Sequence, residues 1–92
     1  MIKSIKHKGL KRLYEQGDKS GIGANLHARI ERILLILDEA QTLNDMNIPG
    51  YRLHPLTGNR QGTWSIRVTG NWRITFLFVD GDVVDVDLED YH

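Results

Sequence analysis

The stretch Trp64-Ser65-Ile66-Arg67-Val68-Thr69-Gly70-Asn71-Trp72-Arg73-Ile74-Thr75-Phe76-Leu77-Phe78 decides the fold. On either side of Gly70-Asn71 apolar residues return at every second position, the period of half-buried β-strands joined by a turn. Trp64, Ile66 and Val68 share one face of the first strand, and Trp72, Ile74, Phe76 and Phe78 share one face of the second. Burial requires these to be the same face of one sheet. A two-residue loop of Gly70 and Asn71 would point the two sets to opposite sides, so a three-residue loop, Thr69 to Asn71, is expected, pairing Val68 with Trp72 and Ile66 with Ile74. That register sets Arg67 directly opposite Arg73.

Working outward, Val83 to Leu88 reads as a third strand of the same meander. A loop of Asp80, Gly81 and Asp82 would pair Phe78 with Val84, Phe76 with Val86 and Ile74 with Leu88. Glu89 then faces Arg73, with Tyr91 diagonal to it. Upstream, Tyr51 to Leu56 is a further strand candidate, after a turn-rich segment containing Asn44, Asp45, Asn47, Pro49 and Gly50. Before that turn the period changes to 3.6. Leu26, Ile30, Ile33, Leu34 and Leu37 form the apolar stripe of a helix running to about Gln41, with Asn25 as its expected N-cap. Leu10, Leu13 and Tyr14 mark an earlier helix that Gly17 should stop. Residues 2 to 5 are expected to form a short strand. The order predicts an α+β domain spanning residues 1–92, with a short N-terminal strand and two helices packed on a mainly antiparallel sheet.

With 92 residues, 40% of them apolar and 26% charged, the composition is that of an ordinary globular domain with one modest core. There is no cysteine, so neither a disulfide framework nor a thiolate metal site is available. The longest apolar run, Ile33 to Leu37, is far short of the roughly 20 residues that span a bilayer. No membrane association is expected, and the amino end lacks the apolar core of a secretory signal, so a cytoplasmic location is the default. Formal charge is zero, from 12 basic and 12 acidic side chains, but it is unevenly spread. Lys3, Lys6, Lys8, Lys11 and Arg12 meet only Glu15 in the opening segment. No acid falls between Asp45 and Asp80, where Arg52, Arg60, Arg67 and Arg73 lie, and six acids crowd into positions 80 to 90.

Two arginines facing each other across a sheet repel by a few tenths to about 1 kcal/mol unless an anion lies between them. They fit either a phosphate site or an exposed network neutralised by Glu89 and Asp87. Arginine suits phosphate because its planar fork donates bidentately and keeps its charge, and a neighbouring tyrosine can stack on a base. None of the histidines at 7, 27, 54 and 92 has metal-ligand spacing, so no metal and no cofactor is expected. His7 and His27 fall in helical segments as surface residues. His54 precedes Pro55, which holds it extended without deciding its face. His92 ends the chain beside Asp90 and Tyr91, off a strand whose polar face carries Arg73. Without a nucleophile triad, P-loop or dinucleotide motif, the available equipment is that of RNA transesterification: imidazoles, a carboxylate, arginines for the developing charge and an aromatic ring.

Met1-Ile2-Lys3-Ser4, Tyr51-Arg52-Leu53-His54-Pro55-Leu56 with Gly58 and Arg60, Trp64-Ser65-Ile66-Arg67-Val68, Asn71-Trp72-Arg73-Ile74-Thr75-Phe76 and the terminal Glu89-Asp90-Tyr91-His92 together resemble the HigB-type toxins of the RelE superfamily, also labelled plasmid maintenance system killer proteins. The resemblance runs nearly end to end. It implies a RelE-like fold and a ribosome-dependent endoribonuclease that cleaves translated mRNA without a metal and so inhibits translation; the histidines and the carboxylate suggest attack by the ribose 2′-hydroxyl. It also implies a HigA-like helix-turn-helix antitoxin as partner, with the ribosome and mRNA as targets and DNA reached only through the antitoxin. By position it assigns His54, Asp90, Tyr91, His92 and Arg73 to the catalytic centre. Arg67 joins Arg73 on mRNA phosphates, and Arg60, Arg52, Lys6 and Lys8 provide the surrounding RNA-binding charge. Thr57 stands where some relatives carry lysine, removing one phosphate contact. The competing possibility is a non-catalytic module on the same scaffold, acting on another target or within a repressor complex.

Overall fold

The computed structural model describes residues 1–90. Helix α1 (Lys8–Gln16) and helix α2 (His27–Glu39) pack on a four-stranded antiparallel sheet of β1 (His54–Pro55), β2 (Thr63–Thr69), β3 (Trp72–Val79) and β4 (Asp82–Asp90), in the order β1-β2-β3-β4. The α2 stripe behaves as its spacing requires: Leu26, Ile30, Ile33, Leu34 and Leu37 are all buried, against Leu10 and Leu13 of α1 and Ile66, Val68, Ile74, Phe76, Val83, Val86 and Leu88 of the sheet. Among the described residues no helix is long and apolar enough to cross a membrane.

Helix α1 ends as expected, with Gly17 at φ 69° and its N–H bonded to the Arg12 and Leu13 carbonyls. Its start differs from expectation. His7 precedes the helix and caps it, Nδ1 accepting from the Leu10 N–H at 3.1 Å. Asn25 is not the cap of α2, because Ala24–Leu26 forms a 3₁₀ turn that runs directly into the helix.

The central pairs hold: Ile66 faces Ile74, Arg67 faces Arg73, Ile74 faces Leu88 and Arg73 faces Glu89. Both expected three-residue loops are replaced by two-residue loops with a nearby bulge. Thr69, not Val68, pairs with Trp72, so Gly70-Asn71 closes the hairpin while Val68 is the extra residue that keeps its side chain buried. In the second hairpin Val79 pairs with Asp82 across Asp80 and Gly81, at φ 51° and 84°, the left-handed pair that matches the twist of antiparallel strands. Phe78 therefore pairs with Val83 rather than Val84. Lower in the same ladder Phe76 alone spans Asp85 and Val86, with Asp85 at φ 55°.

That second bulge also explains why residues 2 to 5 do not form the expected strand. The segment runs parallel to β4, but only as two isolated bridges, Ile2 to Val83 and Ile5 to Val86. A regular ladder repeats every second residue. Left-handed Asp85 stretches the repeat to three, and its N–H is taken by Ser4 Oγ at 2.8 Å. The segment is held at its other side by α2, where Asp38 Oδ1 accepts from the Ile2 N–H at 3.0 Å and from the Tyr14 hydroxyl at 2.7 Å. Partial burial and that carboxylate push the Tyr14 hydroxyl up to about 12.

Candidate active site

The face of the sheet away from the helices is built by alternation. On β2 the residues between Trp64, Ile66 and Val68 are Ser65 and Arg67, and on β3 those between Trp72, Ile74 and Phe76 are Arg73 and Thr75. His54 of β1 lies opposite Ser65. Arg52, His54, Ser65, Arg67, Gly70, Trp72 and Arg73 line one open cavity of roughly 330 Å³. Four of the residues nominated from sequence, Arg52, His54, Arg67 and Arg73, are thus brought together. Among the described residues their shared lining contains three guanidinium groups and no carboxylate.

His54 is exposed, but its ring is oriented. Nδ1 lies 2.9 Å from the Arg52 carbonyl oxygen, which can only accept, so Nδ1 carries the proton. In the neutral ring Nε2 then holds the free lone pair. Arg52 itself adopts φ 51°, a left-handed conformation that costs a side-chain-bearing residue roughly 1–2 kcal/mol. Expectation made Tyr51 to Leu56 one strand. The left-handed residue breaks it, and only His54–Pro55 pairs with β2.

Arg29 of α2 holds this broken segment in place, a role that its surface position on the helix pattern did not reveal. Its Nη2 donates to the Gly50 carbonyl at 2.7 Å and the Arg67 carbonyl at 3.2 Å, and its guanidinium stacks 4.0 Å from the centre of the Tyr51 ring. The Arg67 N–H closes the clamp by donating to the Tyr51 carbonyl at 2.8 Å. Replacing Arg29 with alanine is expected to cost about 1–2 kcal/mol, from charged hydrogen bonds and a cation–π contact. Urea denaturation would read the loss, and faster hydrogen exchange at the Arg67 amide would locate it.

Glu89 neutralises the sheet face on one side only. It accepts from Arg60 Nη1 and Nη2 at 2.7 and 2.6 Å and from Thr75 Oγ1 at 2.5 Å, and lies 3.6 Å from Arg73 Nη2. The Arg60 fork, then Thr75 and Arg73, hold its carboxyl down at about 2. Arg67 and Arg52 make no ion pair among the described residues. The stability that Glu89 contributes is fully present above the ordinary carboxylate range and is lost as pH falls toward about 2. Glu89→Gln should remove on the order of 2 kcal/mol at pH 7, after discounting for screening by solvent. Urea midpoints at pH 7 and pH 3.5 should differ less in the variant than in the parent.

The other nominated residues are placed elsewhere. Arg60 is held by Glu89, and both border a separate small depression with Lys6, Thr63, Thr75 and Asp87. Lys8 opens α1, exposed. Asp90 ends β4 opposite Trp72, itself part of the cavity lining. Tyr91 and His92 lie outside the described residues. Among the described residues no three His, Asp or Glu side chains form a cluster able to hold a metal ion.

A family model described as the RelE-like HigB toxin of type II toxin–antitoxin systems matches residues 3–92. The chain belongs to this family. It is 51% identical over 92 residues to a Proteus vulgaris protein named Endoribonuclease HigB, covering all of both chains. It is 36% identical over 91 residues to Toxin HigB-1 of Vibrio cholerae serotype O1, covering 97% of this chain and 96% of the relative. Two crystal structures of YafQ from E. coli share the fold. A histidine-to-glutamine mutant of YafQ superposes with a TM-score of 0.63 at 16% identity, and the protein from strain BL21(DE3) with 0.59 at 14%, each covering 98% of this chain and 91% of the other. A toxin of this family has an antitoxin as its partner.

Proposed function

We propose that this toxin is a ribosome-dependent endoribonuclease that cuts mRNA during translation and is silenced by a HigA-like helix-turn-helix antitoxin, through which alone it reaches DNA. The observation that carries the reading is His54, held in one tautomer beside a cavity walled by Arg52, Arg67 and Arg73. The name of the Proteus vulgaris relative supports it.

The reaction is transesterification within the RNA. Nε2 of His54 takes the proton of a ribose 2′-hydroxyl, and the 2′-oxygen forms a bond to the adjacent phosphorus. Arg67 and Arg73 stabilise the charge that gathers on the non-bridging oxygens. The bond from phosphorus to the 5′-oxygen breaks as His92 supplies the leaving oxygen with a proton, and Tyr91 orients a base by stacking. Asp90 is the alternative base, and the base and acid assignments can be exchanged. The products are a 2′,3′-cyclic phosphate and a 5′-hydroxyl, with no metal-dependent step. Arg52, Lys6 and Lys8 add long-range, salt-dependent attraction to RNA.

A reconstituted translation system tests this directly. Added toxin should arrest protein synthesis and leave those two termini, the antitoxin should restore synthesis, and cleavage on preformed, intact ribosome complexes should survive a chelator. Translation that continues unimpaired would refute the proposal.

A further inference from the structure

Ser65 carries a polar group that the fold does not use. It is 1% exposed, in the middle of β2, with His54 as its neighbour on one side and Thr75 on the other. Thr75, almost as deeply buried, already donates its hydroxyl hydrogen to Glu89. The Ser65 Oγ finds no partner among the described residues. A buried hydroxyl without a partner opposes folding, and such groups in a native protein call for an explanation. Alanine would occupy the same strand position without that cost.

Its location supplies the explanation. Ser65 lines the same cavity as His54, Arg67 and Arg73, and it stands two residues before Arg67, hence on the same side of β2. Its hydroxyl therefore stands at a corner of the cavity floor, with the imidazole directly across on β1 and the facing guanidinium pair one alternation along the strands. We propose that Ser65 is a substrate-binding residue: with RNA in the cavity its hydroxyl donates to a non-bridging oxygen of the phosphate held by Arg67 and Arg73. The proposal rests on the nuclease reading for its substrate. It adds a neutral donor on the cavity floor, short enough to sit beneath a phosphate where a longer side chain would fill the space. A small rotation about the Cα–Cβ bond brings the oxygen to the ligand, and the group unsatisfied in the free protein becomes satisfied in the complex.

The test is Ser65→Ala in the full chain, read three ways: the urea midpoint, the cleavage rate on programmed ribosomes, and affinity for a 2′-O-methyl RNA trinucleotide. The trinucleotide cannot be cut because its nucleophile is blocked, so it reports binding alone, by NMR titration. The variant should be as stable as the parent or more so, yet bind the trinucleotide and turn over mRNA about ten- to a hundredfold less well, the range of a hydrogen bond to a charged group. Ser65→Thr, which returns the hydroxyl, should recover part of the binding. Equal binding in parent and Ser65→Ala would overturn the proposal. So would a stability loss in step with the binding loss, or a parent that does not bind the trinucleotide. Weakened binding by Ser65→Ala in a parent that does not cut RNA would keep the phosphate contact and remove the nuclease reading.

Discussion

Replacing His54 with glutamine is expected to slow mRNA cleavage about 10²- to 10⁴-fold, the usual cost of losing a positioned proton-transfer group. Glutamine keeps a polar side chain of similar reach but cannot take up a proton at neutral pH. The fold should be indifferent to the change, because His54 is exposed and, among the described residues, its ring bonds to a carbonyl two residues away. Circular dichroism and the urea midpoint should match the parent. Single-turnover cleavage on programmed ribosomes gives the rate, and its pH dependence gives the role. A base acts only when deprotonated, so its loss should abolish the fall in rate on the acid side of the profile. Parental cleavage by the variant would remove His54 from the mechanism.

His92→Ala is expected to produce a loss of the same size, about 10²- to 10⁴-fold, with the opposite signature. A general acid acts only when protonated, so its loss should abolish the fall in rate on the alkaline side. If the two signatures were interchanged, the base and acid assignments would exchange while the transesterification stood. A variant lacking His92 that cuts at the parental rate would exclude the terminal residue from the chemistry, leaving Asp90 to be tested in its place.

Much of the architecture was legible in the chain because it rests on short periods and one burial rule. The α2 stripe from Leu26 to Leu37 buries as its 3.6-residue spacing demands. The pairs Ile66–Ile74, Arg67–Arg73 and Arg73–Glu89 follow from keeping the apolar residues of successive strands on one face. The meeting of Arg67 and Arg73 in one cavity was visible for the same reason. The roles of the terminal residues are carried by the family resemblance and belong to the proposed function, since no periodicity bears on them.

Sequence by itself thus determined the fold class, the strand and helix faces and the facing arginines, since each depends on neighbours a few residues apart. Tertiary structure decided the rest. Bulges at Val68 and Asp85 shift a strand by one residue, and whether a hairpin absorbs a mismatch in its loop or in its ladder depends on what the sheet packs against. The segment that carries left-handed Arg52 ahead of His54 is held through Arg29, Tyr51 and Arg67, brought together from three separate segments. Arg60 read as free positive charge until the fold set it against Glu89, 29 positions along the chain. Nothing in the sequence singled out Ser65. Only the packing around it shows a hydroxyl sealed from water with no partner among the described residues, because hydrogen-bond satisfaction is settled by every group that reaches a site, whatever its distance in sequence.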